Sequence, residues 1–167
     1  ALVQHTSSSV PAQLEGFIEA LTPHVEGLAA GHKGGAGDWC VSLQLEGATA
    51  VNAAVELLLQ LQAARGQAAR TAVAVAERSY HGPPTTSFGV PAAVQSAWQR
   101  TAKPSQLTYA APTPYRPGTA EEVASDVRRS WDVFFEQHAG TLGVLVVEPQ
   151  WGSSCAGAPW PRELFAE

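Results

Sequence analysis

The chain has 167 residues, of which 45% are hydrophobic and 15% charged, so it is expected to bury a core rather than remain disordered. Its net charge is −5 and its ten Lys and Arg residues are scattered, which argues against a nucleic-acid partner. No apolar run is long enough to cross a membrane. Two cysteines, Cys40 and Cys155, are too few for a disulfide framework, and we therefore expect a cytoplasmic protein.

Amphipathic helical patterns alternate with short apolar runs along the chain. In chain order the predicted elements are helix Pro11–Leu21, strand Trp39–Gln44, helix Ala48–Arg65, strand Thr71–Ala76, helix Pro91–Thr101, strand Gln106–Ala110, helix Thr119–Ala139 and strand Leu142–Val147. The second and fourth strands are almost continuously apolar, as strands buried on both faces require. The alternation predicts a single α/β domain over residues 1–167, with a mainly parallel sheet between two helical layers.

The sequence argues against three common kinds of site: a dinucleotide-binding loop, a nucleophile elbow and a metal site. The glycine-rich stretch Gly31–Gly37 precedes a strand, whereas a dinucleotide-binding loop follows a strand and opens a helix, so a flexible turn is favoured. The G-x-S-x-G nucleophile elbow is absent, because Gly152–Ala156 lacks its second glycine. The five histidines show neither helical i,i+4 pairing nor cysteine spacing, and no metal site is predicted.

Three other segments carry chemistry that a ligand site needs. Gly47–Ala54 leaves a strand and enters a helix with small residues, so its backbone N–H groups are able to bind a phosphate, although an ordinary strand–helix turn is the commoner explanation of such a segment. Tyr80 follows a buried strand, where it either stacks on a flat cofactor or faces solvent. Glu148 ends the most hydrophobic strand. It is either a site carboxylate whose pKa is shifted by its surroundings or a structural residue held in an ion pair.

Taken in order, these segments resemble the class III aminotransferases, pyridoxal phosphate (PLP) enzymes of fold type I. That family typically shows small residues at a helix entry, then an aromatic-His-Gly motif, then a hydrophobic strand ending in Glu-Pro. The corresponding segments here are Glu46–Ala54, Ser79–Gly82 and Val144–Pro149. The resemblance spans nearly the whole chain. It implies the front half of a large PLP-binding domain, a partial three-layer αβα fold.

The resemblance also implies roles for individual residues. The cofactor-binding residues would be Gly47, Ala48, Thr49, Tyr80 and His81. Gly47 and Ala48 would offer backbone N–H groups to the PLP phosphate, and Tyr80 would stack on the pyridine ring. His81 would help to fix the loop. Glu148, the one residue predicted to be catalytic, would lie near the phenolic oxygen of the cofactor and orient the site.

Two departures from the family pattern bear on the ligand and the substrate. Glu46 stands where Ser or Thr is usual, and its carboxylate repels a phosphate unless it points away. Family members that manage a substrate carboxylate through a Glu–Arg switch have a Glu shortly after the Glu-Pro motif. Ser153 occupies that position here, so an ornithine- or GABA-like substrate is not favoured. Trp151 suggests instead an aromatic wall of the substrate pocket.

The largest departure concerns the Schiff-base lysine and the Asp that protonates the pyridine nitrogen, which in the family both follow the Glu-Pro motif. The only lysines here are Lys33 and Lys103, and neither lies in a family-like context. We therefore expect a PLP-binding portion of a class III aminotransferase-like enzyme that acts on a small amino substrate. A complementary polypeptide would supply the lysine and the Asp, in a dimer of such pairs.

Other interpretations stay open. The plain alternative is a fragment of one longer polypeptide. Glu46 favours a non-catalytic α/β partner subunit that stabilises or regulates a PLP enzyme. An unrelated phosphate-binding α/β domain is a weaker alternative. Transamination, racemisation, mutase action and decarboxylation use the same apparatus, and the residues do not separate them.

Overall fold

The computed structural model of the chain describes residues 2–3, 12–29, 40–82, 106–152 and 155–165. Several predictions lie outside these residues: the helix Pro91–Thr101, the stretch Gly31–Gly37, both lysines and Ser153. The chain divides into two compact units, residues 1–45 and residues 46–167. Over the described ranges, no helix combines the length and the apolar character that a membrane span needs.

The first unit contains one long helix and a short strand pair. Strand β1 is Leu2–Val3, helix α1 is Ala12–Ala29 and strand β2 is Cys40–Val41. The two strands pair in parallel, with Leu2 opposite Cys40. Helix α1 contains Pro23 and continues well beyond the predicted end at Leu21. A proline removes one backbone donor but does not always end a helix.

The second unit carries the sheet that the apolar runs predict. Its elements are helix α2 (Gly47–Ala64), strand β3 (Ala72–Ala76), strand β4 (Gln106–Tyr109), helix α3 (Ala120–His138), strand β5 (Leu142–Val146) and a 3-10 turn (Arg162–Phe165). The three strands are parallel in the order β4-β3-β5. The α/β fold with a parallel sheet is therefore confirmed.

The central strand β3 faces two different helical layers because alanine and valine alternate along it. Val73 and Val75 share one buried cluster with Val55 of α2 and Val144 of β5. On the opposite face Ala74 and Ala76 share a larger cluster with Tyr109, α3 and the C-terminal segment. Successive side chains of a strand point to opposite faces, so this alternation produces the three layers α2, sheet and α3.

Helix α3 begins as its capping signals predict. The backbone N–H of Thr119 donates to Glu122 Oε2 at 2.7 Å, and the N–H of Glu122 donates to Thr119 Oγ1 at 3.3 Å. This reciprocal capping box satisfies N–H groups that the first turn leaves without intrahelical partners. Further along the helix, Trp131 Nε1 donates to the carbonyl of Ala110 at 2.7 Å, which ties α3 to the end of β4.

Strand β5 contains an irregularity at its start. Ala72 pairs with Leu142, whereas Val73 pairs with Val144, so Gly143 is an extra residue on the β5 side. A Cβ atom at Gly143 would overlap the backbone carbonyl of Arg70 and lie 2.9 Å from Leu59 Cδ2. Glycine is therefore required here by the close approach of the backbone and not by a left-handed conformation.

Candidate functional site

The strand order creates a crevice at the carboxyl edge of the sheet. The chain passes from the central strand β3 to β4 on one side, and β5 lies on the other side. In open parallel sheets ligands bind where the connections of adjacent strands diverge in this way, outside the carboxyl ends of the strands. The segment Ser79–Gly82 follows β3, and Glu148 follows β5, so both border the crevice between these strands.

The start of α2 lies at the same edge. Near the other end of the helix, Gln62 Nε2 donates to the carbonyl of Gly143 at 3.0 Å, which places this end beside the beginning of β5. From Gln62 back to Gly47 the helix rises ~22 Å, whereas β5 from Gly143 to Glu148 extends ~16 Å. Because α2 runs antiparallel to the strands, Gly47 reaches the carboxyl edge, with the positive end of the helix dipole.

The predicted phosphate-binding residues form the first turn of α2. Gly47 is exposed, and no heavy atom lies within 4 Å of the position that a Cβ would take there, so the backbone is open to a ligand. Ala48 is partly buried. The hydroxyl of Thr49 donates to the carbonyl of Glu46 at 2.9 Å. Thr49 therefore helps to close the helix start, which is a local role in addition to the predicted one.

The loop after β3 holds one exposed and one buried ring. Ser79 is buried, and both its hydroxyl and its N–H donate to the carbonyl of Ala76, at 2.6 and 3.1 Å. Tyr80 is 63% exposed, so its ring is available for stacking. His81 is buried, and burial lowers its pKa below the ordinary value of 6.5. At neutral pH His81 is therefore an uncharged imidazole.

Glu148 lies partly buried at the end of β5. Its Oε1 accepts a hydrogen bond from the backbone N–H of Gly152 at 3.1 Å. Burial raises the pKa of Glu148 above its ordinary value, and the Gly152 hydrogen bond opposes part of this effect.

Tyr109, which the sequence motifs did not single out, connects the strands beneath this crevice. Its hydroxyl donates to the carbonyl of Val146 at 2.7 Å, so the side chain extends from β4 across β3 to β5. Burial raises the pKa of Tyr109, and the negative charge of Glu148 raises it further. The only available sequence signal was a tyrosine at the end of a predicted strand.

An ion pair closes the other side of the edge, between β3 and β4. Arg116 Nη2 lies 2.6 Å from Glu77 Oε1, and Arg116 Nε donates to the carbonyl of Ala111 at 2.9 Å. The N–H of Ala111 donates to the same Glu77 oxygen at 3.3 Å. These contacts join the ends of β3 and β4, and we therefore take the carboxyl edge between β3 and β5 as the candidate site.

Trp151, predicted as a wall of the substrate pocket, is a core residue in this structure. Its side chain is 2% exposed, and its Nε1 donates to the carbonyl of Pro112 at 2.8 Å. It packs beside Trp160, with ring centroids 5.8 Å apart. The large apolar area of an indole favours burial once its N–H has a partner. Trp151 therefore has almost no exposed surface with which to line the predicted substrate pocket.

The comparisons with known proteins identify the fold. Neither the protein-family models nor the curated proteins include a match to this chain. Among solved structures, an (S)-enantioselective omega-transaminase from Thermomicrobium roseum is 24% identical with a TM-score of 0.57, over 70% of this chain and 27% of that one. A PMP-bound aminotransferase from Vibrio fluvialis is 20% identical with a TM-score of 0.62, over 73% and 28%.

A third similar structure is the omega-transaminase from Pseudomonas jessenii in complex with PMP. It is 21% identical with a TM-score of 0.59, over 72% of this chain and 28% of that one. The chain thus spans little more than a quarter of the length of these structures. It has the α/β fold of one part of a fold type I transaminase, as the sequence predicts.

Proposed function

We propose that this chain is the PLP-binding part of a class III aminotransferase-like enzyme that acts on a small amino substrate. The observation that supports the proposal is the topology, which puts three segments at the carboxyl edge of the sheet: the start of α2, the loop with Tyr80 and His81, and Glu148. The fold shared with transaminases supports it, because similar structures are described as PLP-bound and PMP-bound aminotransferases.

The start of α2 suits the phosphate of the cofactor. The N–H groups of Gly47 and Ala48 belong to the first turn, where intrahelical acceptors are lacking and the dipole favours an anion. The first turn contains no acidic residue, and Gly47 presents no side chain to a ligand. Glu46 precedes this turn with an extended backbone, is exposed and forms a capping box with Thr49. A phosphate bound here would have to displace the Glu46 side chain from the helix start.

The other two segments suit the ring of the cofactor. The exposed ring of Tyr80 provides a flat surface, and the buried neutral His81 supports the loop without adding charge. Glu148 is partly buried at the end of β5, and its carboxyl group is a hydrogen-bonding partner for a phenolic oxygen of the cofactor. When bound, PLP would supply an electron sink for chemistry at the substrate carbon, while these residues bind and orient it.

We further propose that a complementary polypeptide supplies the lysine and the Asp of the active site, in a dimer of such pairs. The surface beside the site supports this proposal. Helix α2 exposes Leu57, Leu58 and Leu61 on one side of the sheet, whereas Leu145 of β5 and Val147 just after it are exposed on the other side. In the described sheet β5 is an edge strand. Exposed apolar side chains on both sides of an unpaired strand edge are suited to contact with further polypeptide.

A second candidate function is a non-catalytic subunit that stabilises a PLP enzyme. Glu46 is the observation that favours it, because a carboxylate at a helix start takes the place that an anionic ligand would occupy. The two candidates differ in whether the crevice binds the cofactor. They are separated by binding experiments on the chain itself and on a Glu46→Ser variant.

Pyridoxamine phosphate is the suitable probe, because it carries its own amine and needs no lysine. Calorimetric titration should show that the chain binds it at least ~10-fold more tightly than pyridoxamine, which lacks the phosphate. Tyr80→Ala should weaken binding roughly 3–10-fold, as expected for the loss of a stacking partner. Tyr115→Ala is the matched control, since Tyr115 is also 63% exposed and should not affect this ligand.

The results discriminate between the two candidates. Equal affinity for the two probes, or unchanged binding by Tyr80→Ala, would contradict the proposed cofactor site. If the chain fails to bind pyridoxamine phosphate and Glu46→Ser does not restore binding, the non-catalytic subunit is favoured.

The source of the lysine is tested by borohydride reduction after addition of equimolar PLP. The chain would be treated alone and together with the polypeptide encoded downstream of it, and the labelled peptides identified by mass spectrometry. We expect the label on a lysine of the second polypeptide. Stoichiometric label on Lys33 or Lys103 would overturn the proposed division of the site.

A further inference from the structure

We propose that Trp151 is a positioning residue, whose buried indole fixes the loop after β5 so that Gly152 holds the carboxyl group of Glu148 at the candidate site. The role of Glu148 toward the cofactor is part of the proposed function, on which this inference rests. Two hydrogen bonds of neighbouring residues carry it. Trp151 Nε1 donates to the Pro112 carbonyl at 2.8 Å, and the N–H of Gly152 donates to Glu148 Oε1 at 3.1 Å.

The loop after β5 is closed by its own backbone. The N–H of Trp151 donates to the carbonyl of Ala158 at 2.9 Å, and the N–H of Trp160 donates to the carbonyl of Pro149 at 2.8 Å. These two bonds give the loop a defined shape, but they join it only to itself. The place of the loop relative to the sheet therefore depends on its side chains.

The indole of Trp151 joins this loop to the segment after β4. Strands β4 and β5 lie on opposite sides of β3, so the bond to the Pro112 carbonyl connects the two outer strands beyond their carboxyl ends. The Trp151 side chain is 2% exposed, and a buried indole N–H needs an acceptor. The neighbouring Trp160 is 3% exposed, yet its Nε1 has no hydrogen-bond partner in the described part of the chain. Of these two buried indoles, that of Trp151 ties the loop to another segment by a hydrogen bond.

The bond from Gly152 depends on where Trp151 is held. The N–H of Gly152 belongs to the peptide plane that begins at the Cα of Trp151, so a shift of Trp151 turns this donor. A Cβ at Gly152 would lie 3.4 Å from Glu148 Oε1, so the carboxyl group lies against this glycine. Because a carboxylate accepts several hydrogen bonds, the Gly152 bond fixes its direction without excluding a ligand. Trp151 therefore acts on the site through Glu148 and not as a wall of the substrate pocket.

Proton NMR of the amide groups tests this positioning without any ligand. The N–H of Gly152 should shift as Glu148 ionises between pH ~4 and ~8, because a carboxylate attracts the amide proton more strongly than a carboxylic acid does. Burial and Glu148 raise the pKa of Tyr109 above its ordinary value of 10, so its phenol does not titrate in this range. Glu148→Gln should abolish the shift, which separates it from the ionisation of His81.

Trp151→Phe should abolish this pH-dependent shift, while the other amide signals show that the chain stays folded. Trp160→Phe is the matched control and should keep the shift, because it removes an indole of the same buried cluster whose N–H has no partner among the described residues. Replacement of Trp151 by benzothienylalanine, in which sulfur takes the place of the indole N–H, keeps the ring volume and should act like Trp151→Phe. If the Gly152 shift persists after either folded replacement of Trp151, the positioning role is refuted.

Binding of pyridoxamine phosphate tests the consequence for the site. Trp151→Phe should weaken binding about 3–10-fold, and Trp160→Phe should change it by less than about twofold. In a double-mutant cycle, Trp151→Phe should add nothing to the loss caused by Glu148→Ala, because Trp151 acts through Glu148. Additive losses would refute this inference. If the wild-type chain does not bind the ligand, the cofactor site is refuted, and the Gly152 shift still decides whether Trp151 positions Glu148.

Discussion

Removing the Tyr109 hydroxyl tests whether the three strands are joined as the structure indicates. Tyr109 is 2% exposed, and its hydroxyl donates to the Val146 carbonyl, so Tyr109→Phe removes one buried hydrogen bond and keeps the ring. The lost bond is worth about 1 kcal/mol, and the carbonyl left without this donor adds to the cost. We expect the free energy of unfolding to fall by about 1–2 kcal/mol, with the melting temperature ~3–8 °C lower.

Urea denaturation at pH 7 measures this change. Tyr115→Phe is the matched control, because its 63% exposed side chain should change the stability by less than about 0.5 kcal/mol. If the two variants are equally stable, the hydroxyl of Tyr109 does not join β4 to β5 and the reasoning is refuted.

The pH dependence of the same variant gives a second test. Burial and Glu148 raise the pKa of Tyr109 above its ordinary value of 10. The native state therefore keeps a proton that the unfolded chain loses above pH ~10, and this contribution to stability decreases as the pH rises further. The stability difference between the wild type and Tyr109→Phe should be constant from pH 6 to 9 and shrink above pH ~10.

Two further substitutions test the start and the end of β5. Gly143→Ala should lower the free energy of unfolding by about 2–3 kcal/mol or more, because the new Cβ overlaps the Arg70 carbonyl, whereas Gly140→Ala has open space and is its control. Similar urea midpoints for the two would contradict the packing. Burial raises the pKa of Glu148, so the native state binds its proton more tightly and ionisation above pH ~4.5 favours unfolding. Glu148→Gln should therefore raise the melting temperature at pH 7, and this gain should disappear below pH ~4; a gain independent of pH would refute the explanation.

The elements of the second unit were predictable because their signals are local. The apolar run Thr71–Ala76 corresponds to β3, and the capping box at Thr119 and Glu122 marks the observed start of α3. A helix cap or a run of buried residues depends on neighbours within a few positions. The parallel sheet followed from the same local patterns. The strand order β4-β3-β5 did not, because it depends on contacts between distant segments.

The site was predictable only where a motif named its residues. Tyr80, His81 and Glu148 were predicted through the family pattern, and in the structure they follow β3 and β5 at the carboxyl ends of these strands. The Glu77–Arg116 pair joins residues 39 positions apart, and no motif contains it. The burial of Trp151 was not predicted, because no local signal marks an aromatic residue after a strand as buried. Its hydrogen-bond partner, the Pro112 carbonyl, is also 39 positions away.

The alternation of alanine and valine along β3 has a consequence for redesign. On the valine face, the neighbours are aliphatic side chains of α2 and β5, which can repack around an added methyl group. On the alanine face, Ala74 and Ala76 lie in one cluster with Tyr109, whose ring is held at its hydroxyl by another strand. Extra volume there displaces a ring that cannot simply rotate away. Substitutions that enlarge core side chains are therefore better tolerated on the α2 side of this sheet than on the α3 side.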